Sequence, residues 1–236
     1  MKKSVLVGAV SLILLQASGS IQAESVQEKT LSCNGCHGVD GNSMMPLFPK
    51  LADQNEEYLI KQLNAFKDGS RIDATMNNVV KNLSSQDIED IALFYEQQTV
   101  TENSLPPIEL DDDIDDIDDL PAEEQVLARE AFEKNKVAAE AEQTKLVALG
   151  QDIYRNGILD TEVSACVACH GPYGEGNKPA SFPALQGQHA DYLIKTLTDF
   201  KAGIRTHNTD NMMHMIAKKM TSEEIKATSY YMSIIK

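Results

Sequence analysis

Two Cys-x-x-Cys-His motifs constrain this chain more than anything else in it. They are Cys33-Asn34-Gly35-Cys36-His37 and Cys166-Val167-Ala168-Cys169-His170, and they use all four cysteines of the 236 residues. Disulfides, a thiolate metal site and covalent haem compete for cysteines in such pairs. A zinc site built from both pairs would take four thiolates and leave two histidines without a task. Covalent attachment of c-type haem uses every residue of the motif: two thiols reach two vinyl groups, and the adjacent imidazole is placed beneath the iron as an axial ligand. The duplicated spacing therefore predicts two covalently bound haem c groups, attached at Cys33, Cys36, Cys166 and Cys169, with His37 and His170 as axial ligands. Aromatic residues make up only 6% of the chain and Trp is absent. Cores so poor in aromatic bulk fit a fold that closes around a large flat apolar group.

The text after each motif is nearly the same text twice. Phe48-Pro49-Lys50-Leu51-Ala52-Asp53-Gln54 is answered by Phe182-Pro183-Ala184-Leu185-Gln186-Gly187-Gln188. Tyr58-Leu59-Ile60-Lys61, Phe66-Lys67, Gly69 and Arg71 are answered by Tyr192-Leu193-Ile194-Lys195, Phe200-Lys201, Gly203 and Arg205. A repeat of this kind means two copies of one fold. Tyr58, Leu59, Leu63 and Phe66 lie close to one helical face that stops at Gly69, and Tyr192, Leu193, Leu197 and Phe200 repeat it up to Gly203. Ser84-x-x-Asp87 and the capping box Thr221-x-x-Glu224 each open a further helix. In the first copy Ile88, Ile91, Ala92 and Tyr95 then follow at core-facing spacing. No alternating strand pattern stands out, so the expected class is all-α.

The formal charge is −15, from 36 acidic and 21 basic side chains. That leaves no basic surface large enough to neutralise a phosphate backbone, and nucleic acid is excluded as a partner. All of the excess lies before residue 146, and most of it lies between the copies. Residues 99–145 carry 15 acids and 4 bases, and residues 109–124 alone carry ten acids and no base. A run of like charge is read as solvated, and the Ala-, Glu-, Lys- and Leu-rich stretch from Pro121 to about Asn156 as a helix entering the second copy through Leu146, Leu149 and Tyr154. At the other end Lys2 and Lys3, the apolar stretch Val5 to Leu15 and a small residue at Ala23 have the layout of a secretory signal peptide. The expected organisation is a signal peptide at 1–23 cleaved near Ala23, a first domain at 24–98, an acidic linker with helix at 99–145 and a second domain at 146–236.

These motifs together resemble cytochrome c4, an exported dihaem family of class I c-type cytochromes. The resemblance rests on C-x-x-C-H-G, on the Phe-Pro-x-Leu-x-x-Gln and Tyr-Leu-Ile-Lys-x-Leu-x-x-Phe-Lys-x-Gly segments, and on Gly150-Gln151-Asp152-Ile153-Tyr154-Arg155-Asn156-Gly157. It covers Leu31 to Gln97 and about Leu146 to Lys236; the acidic insert lies outside it. It implies two tandem cytochrome c domains joined by a long acidic, partly helical linker. It also implies an axial Met seven residues before the residue that precedes the last helix's cap, which counts back from Leu83 to Met76 and from Met220 to Met213. His214 is the rival in the second domain, because imidazole also ligates haem iron. The usual N-terminal helix is expected to be short or missing in the first domain. Arg205, Lys218 and Lys219 are read as scattered surface charge or a docking patch, and His189 and His207 as structural or surface residues.

The implied function is a periplasmic electron carrier rather than an enzyme. It would move single electrons from a quinol-oxidising complex or dehydrogenase to a terminal oxidase, and peripheral association with a membrane surface stays compatible with that. The alternative is a fixed electron-transfer subunit of a periplasmic oxidoreductase, such as a flavocytochrome sulfide dehydrogenase. A Cys-ligated thiosulfate-oxidising enzyme is excluded, since haem attachment consumes all four cysteines.

Overall fold

Ser84 and Thr221 each accept a hydrogen bond at the side-chain oxygen from the backbone N–H three residues on, while Asp87 and Glu224 reach back to the cap N–H groups. Those two capping boxes start the helices on which the domains are built. The computed structural model describes residues 25–108, 120–206 and 211–236. The signal segment at 1–23, His207 and most of the acidic run lie outside the described residues.

The first domain contains α1 (Val26–Lys29), α2 (Leu31–His37), α3 (Glu56–Asp68), α4 (Met76–Val80) and α5 (Ser85–Glu96). The linker leads into α6 (Ala122–Asn156), and the second domain adds α7 (Val167–His170), α8 (Ala190–Lys201), α9 (Met212–Ala217) and α10 (Ser222–Ile234). The described residues contain no β-strand, only the isolated bridges Ile158–Val163 and Asn177–Phe182. The fold is thus all-α, and none of the described helices is long and apolar enough to cross a membrane.

In the first domain α3 packs on α5 around Leu59, Ile91, Ala92 and Tyr95. A helix of four residues has no stability of its own. Lys29 ties α1 down instead, through ion pairs to Asp87 at 2.7 Å and Asp90 at 2.5 Å on α5. The second domain has the larger core, because α6 supplies a long N-terminal helix. Ile153 and Tyr154 join Leu193, Leu197, Phe200, Ile225 and Met232 there. Helix α6 enters this core through Gly150, Ile153 and Tyr154, which are buried, while Leu146 and Leu149 stay half-buried. Gly150 lies where α6 crosses α10: a Cβ there would stand 2.0 Å from the Ala227 carbonyl oxygen. Of the 35 residues of α6, roughly 52 Å of helix, most project beyond this core, with Val126, Leu127 and Val137 exposed.

The two domains meet through matched positions of the repeat. Gln54 donates from Nε2 to the Ala184 carbonyl at 2.9 Å and accepts at Oε1 from the Ala184 N–H at 2.8 Å. Gln188 does the same to Lys50, donating at 2.9 Å and accepting at 2.8 Å. Each buried glutamine thus satisfies both backbone groups of one residue in the other domain, as a neighbouring strand would. The start of the linker is fixed at the same place: the Lys50 ammonium donates to the Thr101 carbonyl at 2.6 Å and to Asn103 Oδ1 at 2.7 Å.

Truncating Gln54 or Gln188 to alanine strands a buried N–H and a buried carbonyl. Each change is expected to cost about 2 kcal/mol, read as a lower midpoint in thermal unfolding. A midpoint equal to that of the wild type would show that water replaces the amide without loss.

Candidate functional site

Cys33 and Cys36 lie three residues apart on α2, so both thiols leave the same face of the helix. His37 ends that helix and is buried. Gly38 follows with φ of +81°, and a Cβ there would meet the Asn42 carbonyl oxygen at 2.6 Å. Only glycine lets the chain turn away at once after the histidine. The second domain repeats the arrangement, with Cys166 capping α7, His170 ending it, and Gly171 at φ +80°.

What fixes the two imidazoles is a backbone carbonyl. His37 Nδ1 donates to the Pro49 carbonyl at 2.8 Å, and His170 Nδ1 to the Pro183 carbonyl at 3.0 Å. A carbonyl can only accept, so Nδ1 carries the proton in each ring and Nε2 keeps its lone pair. Burial lowers the pKa of both imidazoles and favours that neutral form. The rings of Phe48 and Phe182 stand 6.4 and 6.3 Å from the two imidazoles, centroid to centroid. The repeated Phe-Pro dipeptide is therefore the device that orients both histidines, the kind of outer partner that aims a ligand at a metal. Its signal in the sequence is the repeat, but the repeat does not say which atom acts.

None of the four cysteines is in a disulfide, and all four are half-buried. Burial raises the pKa of Cys33, and that of Cys166 to about 11. The raised values leave neither thiol activated as a nucleophile. Among the described residues no three His, Cys, Asp or Glu side chains converge as metal ligands. Both thiols instead border apolar surface: Cys33 packs against the first core beside Leu51, Ile60, Leu63 and Leu83, and Cys166 against the second beside Val167, Leu185 and Ile194. Paired thiols at an apolar wall, with an imidazole whose Nε2 is available, suit a covalently held haem.

The methionines are placed differently. Met213 lies in the first turn of α9 and packs against the same core as Cys166. His214 has its Nδ1 on the Phe200 carbonyl at 2.7 Å, at the end of α8. Met76 opens α4, half-buried, with its N–H bonded to the Asp73 carboxylate at 2.9 Å. Met44 and Met45, the other methionines near the first motif, are exposed. In both domains a lysine at the end of the long helix, Lys67 or Lys201, donates to the carbonyl just before the final cap, that of Leu83 or Met220. Arg205 departs from its expected place: it is buried between the domains rather than on the surface. His189 is half-buried at the same interface, with Nε2 bonded to the Ser43 carbonyl at 2.9 Å.

The sequence model of the family described as Cytochrome c matches residues 26–98 and 147–236. Cytochrome c4 of Azotobacter vinelandii is 36% identical over 228 residues, covering 92% of this chain and 90% of the relative. The structure of reduced recombinant cytochrome c4 from Pseudomonas stutzeri superposes with a TM-score of 0.71 at 34% identity, covering 89% of this chain and 97% of that one. The thiosulfate dehydrogenase electron acceptor of Stutzerimonas stutzeri is 28% identical over 233 residues, covering 96% and 92%. Two matched segments, each carrying its own thiol pair and oriented imidazole, account for two covalently bound haem c groups in one electron-transfer protein. With the family model matching both domains and a cytochrome c4 relative 36% identical over 92% of the chain, this chain belongs to the cytochrome c4 family of dihaem electron carriers.

Proposed function

We propose that the protein is a periplasmic one-electron shuttle. Cys33, Cys36, Cys166 and Cys169 carry the thioether bonds, His37 and Met76 are the axial ligands in the first domain, and His170 and Met213 those in the second. The observation that carries this reading is the pair of matched hydrogen bonds from His37 and His170 to the carbonyls of Pro49 and Pro183, which present both Nε2 atoms in the same sense. Haem c supplies a one-electron iron couple at each centre. The chain's part is to hold both axial positions closed, with an imidazole on one side and a thioether on the other. A soft neutral thioether favours the ferrous state and raises the potential. No open position is then left for a substrate, which suits transfer between proteins and not turnover.

The electron donor in this reading is a quinol-oxidising complex or a periplasmic dehydrogenase, and the acceptor a terminal oxidase. The likeness to thiosulfate dehydrogenase electron acceptors favours a dehydrogenase as a second source of electrons. Mass spectrometry of the exported protein tests the assignment. It should give a chain beginning near Glu24 plus two haem masses, with both haems retained after denaturation. One haem, or alkylatable thiols on Cys33 or Cys166, overturns it. Rapid mixing with candidate donors then ranks them by rate.

A further inference from the structure

The residue after each methionine assigned to iron reaches for the same backbone atom of the repeat, with different chemistry. Asn77, next to Met76, and His214, next to Met213, are both half-buried. Asn77 donates from Nδ2 to the Phe66 carbonyl and, at 2.9 Å, to the Arg71 carbonyl, while its Oδ1 accepts from the Asp73 N–H at 2.6 Å. His214 donates from Nδ1 to the Phe200 carbonyl at 2.7 Å. Phe66 and Phe200 are matched positions in the last turns of α3 and α8.

The last carbonyls of a helix have no partner within it, and here they are satisfied from the segment that carries the methionine. That segment needs the bond as much as the carbonyl does. Helices α4 and α9 have five and six residues, too few to hold a shape alone. Each is tied at both ends: at its start by the side chain after the methionine, and beyond its far end by Lys67 or Lys201, which bonds the Leu83 or Met220 carbonyl. In the first domain Asp73 adds a further tie, accepting from the Met76 N–H at 2.9 Å. The lysine ties lie seven residues from the methionines, whereas Asn77 and His214 adjoin them. An amide and an imidazole have little in common in shape or hydropathy. What these two share is an N–H aimed at one carbonyl.

We infer that Asn77 and His214 are positioning residues, each holding the backbone beside its methionine so that the thioether stays closed on the iron. The inference rests on Met76 and Met213 being the axial ligands. It gives His214 a task other than ligation, with Nδ1 carrying the proton because a carbonyl only accepts. Outer partners of this kind decide how firmly a ligand is presented. Loosening the hold raises the fraction of molecules with an open sixth position, and the apparent affinity for an added ligand rises in proportion.

The test uses the haem-loaded protein as wild type, Asn77→Ala, His214→Phe and His214→Asn, with haem count by mass checked for each. Imidazole is titrated into the oxidised forms, and the near-infrared sulfur-to-iron band is recorded alongside. Asn77→Ala should bind imidazole at one haem about threefold or more tighter than wild type, and His214→Phe at the other, the equivalent of one ordinary hydrogen bond. In each variant the remaining haem behaves as in wild type. His214→Asn puts the first domain's amide at the second domain's position, and should stay close to wild type with the full band. Unchanged affinities in Asn77→Ala and His214→Phe overturn the proposal; if one of the two fails to take up haem, an unchanged affinity in the other does so alone. It also falls if His214→Asn opens the haem as His214→Phe does, or if His214→Asn loses half the band, since the imidazole would then be the ligand itself. A wild type without the band would instead overturn the methionine assignment on which the inference rests.

Discussion

Replacing Gly150 by alanine is expected to destabilise the second domain by about 3 kcal/mol, the upper range for forcing extra volume into a packed interior. The new methyl would stand 2.0 Å from the Ala227 carbonyl oxygen, 2.5 Å from its carbon and 3.0 Å from the Thr228 nitrogen. All three are backbone atoms of α10, so no rotamer change relieves the overlap and the helices themselves must part. Parting them opens the contacts of Ile153 and Tyr154 with Ile225 and Met232, the centre of that core. Alanine's better helix propensity returns only ~1 kcal/mol. At ~4 °C or more of midpoint per kcal/mol in a domain of this size, the net loss should lower the second domain's thermal transition by ~8 °C or more. A midpoint at or above wild type would mean that α6 and α10 do not approach this closely in solution.

Met213→Ala is expected to open one haem to carbon monoxide and to lower its potential well beyond ~59 mV, a factor of ten in a one-electron equilibrium. Alanine removes the thioether that favours the ferrous state and puts no donor atom at that position. The variant should also lose half of the weak near-infrared sulfur-to-iron absorption of the oxidised protein. Met76→Ala should do the same at the other haem, so the double variant should lose the band entirely. If Met213→Ala keeps the full band and both potentials while His214→Ala does not, the second ligand is the imidazole.

Some of this was legible in the sequence because the physics is local. A C-x-x-C-H motif binds within five residues, a capping box within four, and Ile88, Ile91, Ala92 and Tyr95 follow one helical period; all four of these side chains are buried. The span of α6 was legible from propensity, its Ala, Glu, Lys and Leu content arguing for a helix over the range observed. What could not be read was the contact between the domains. Gln54, Gln188, Arg71 and Arg205 stand out in the text as repeated letters, but a repeat does not say that a side chain works on the other copy. Tyr58 and Tyr192 fall on the helical stripe, yet their hydroxyls leave the core for that interface. The histidine anchors were hidden for a related reason: the acting atoms are backbone carbonyls, and those of Pro49 and Pro183 carry no letter of their own.

The exchange of glutamines has a consequence for how such a chain could arise. Because Gln54 holds Ala184 and Gln188 holds Lys50 at equivalent positions, the contact is isologous, the same patch meeting itself across a twofold axis. A lone half bearing that patch already has what it needs to pair with another copy of itself. Joining two such halves end to end would add no new recognition; it would turn a concentration-dependent dimer into one that is always assembled. Each half would then be free to diverge on its outward side, provided the shared face stayed common to both.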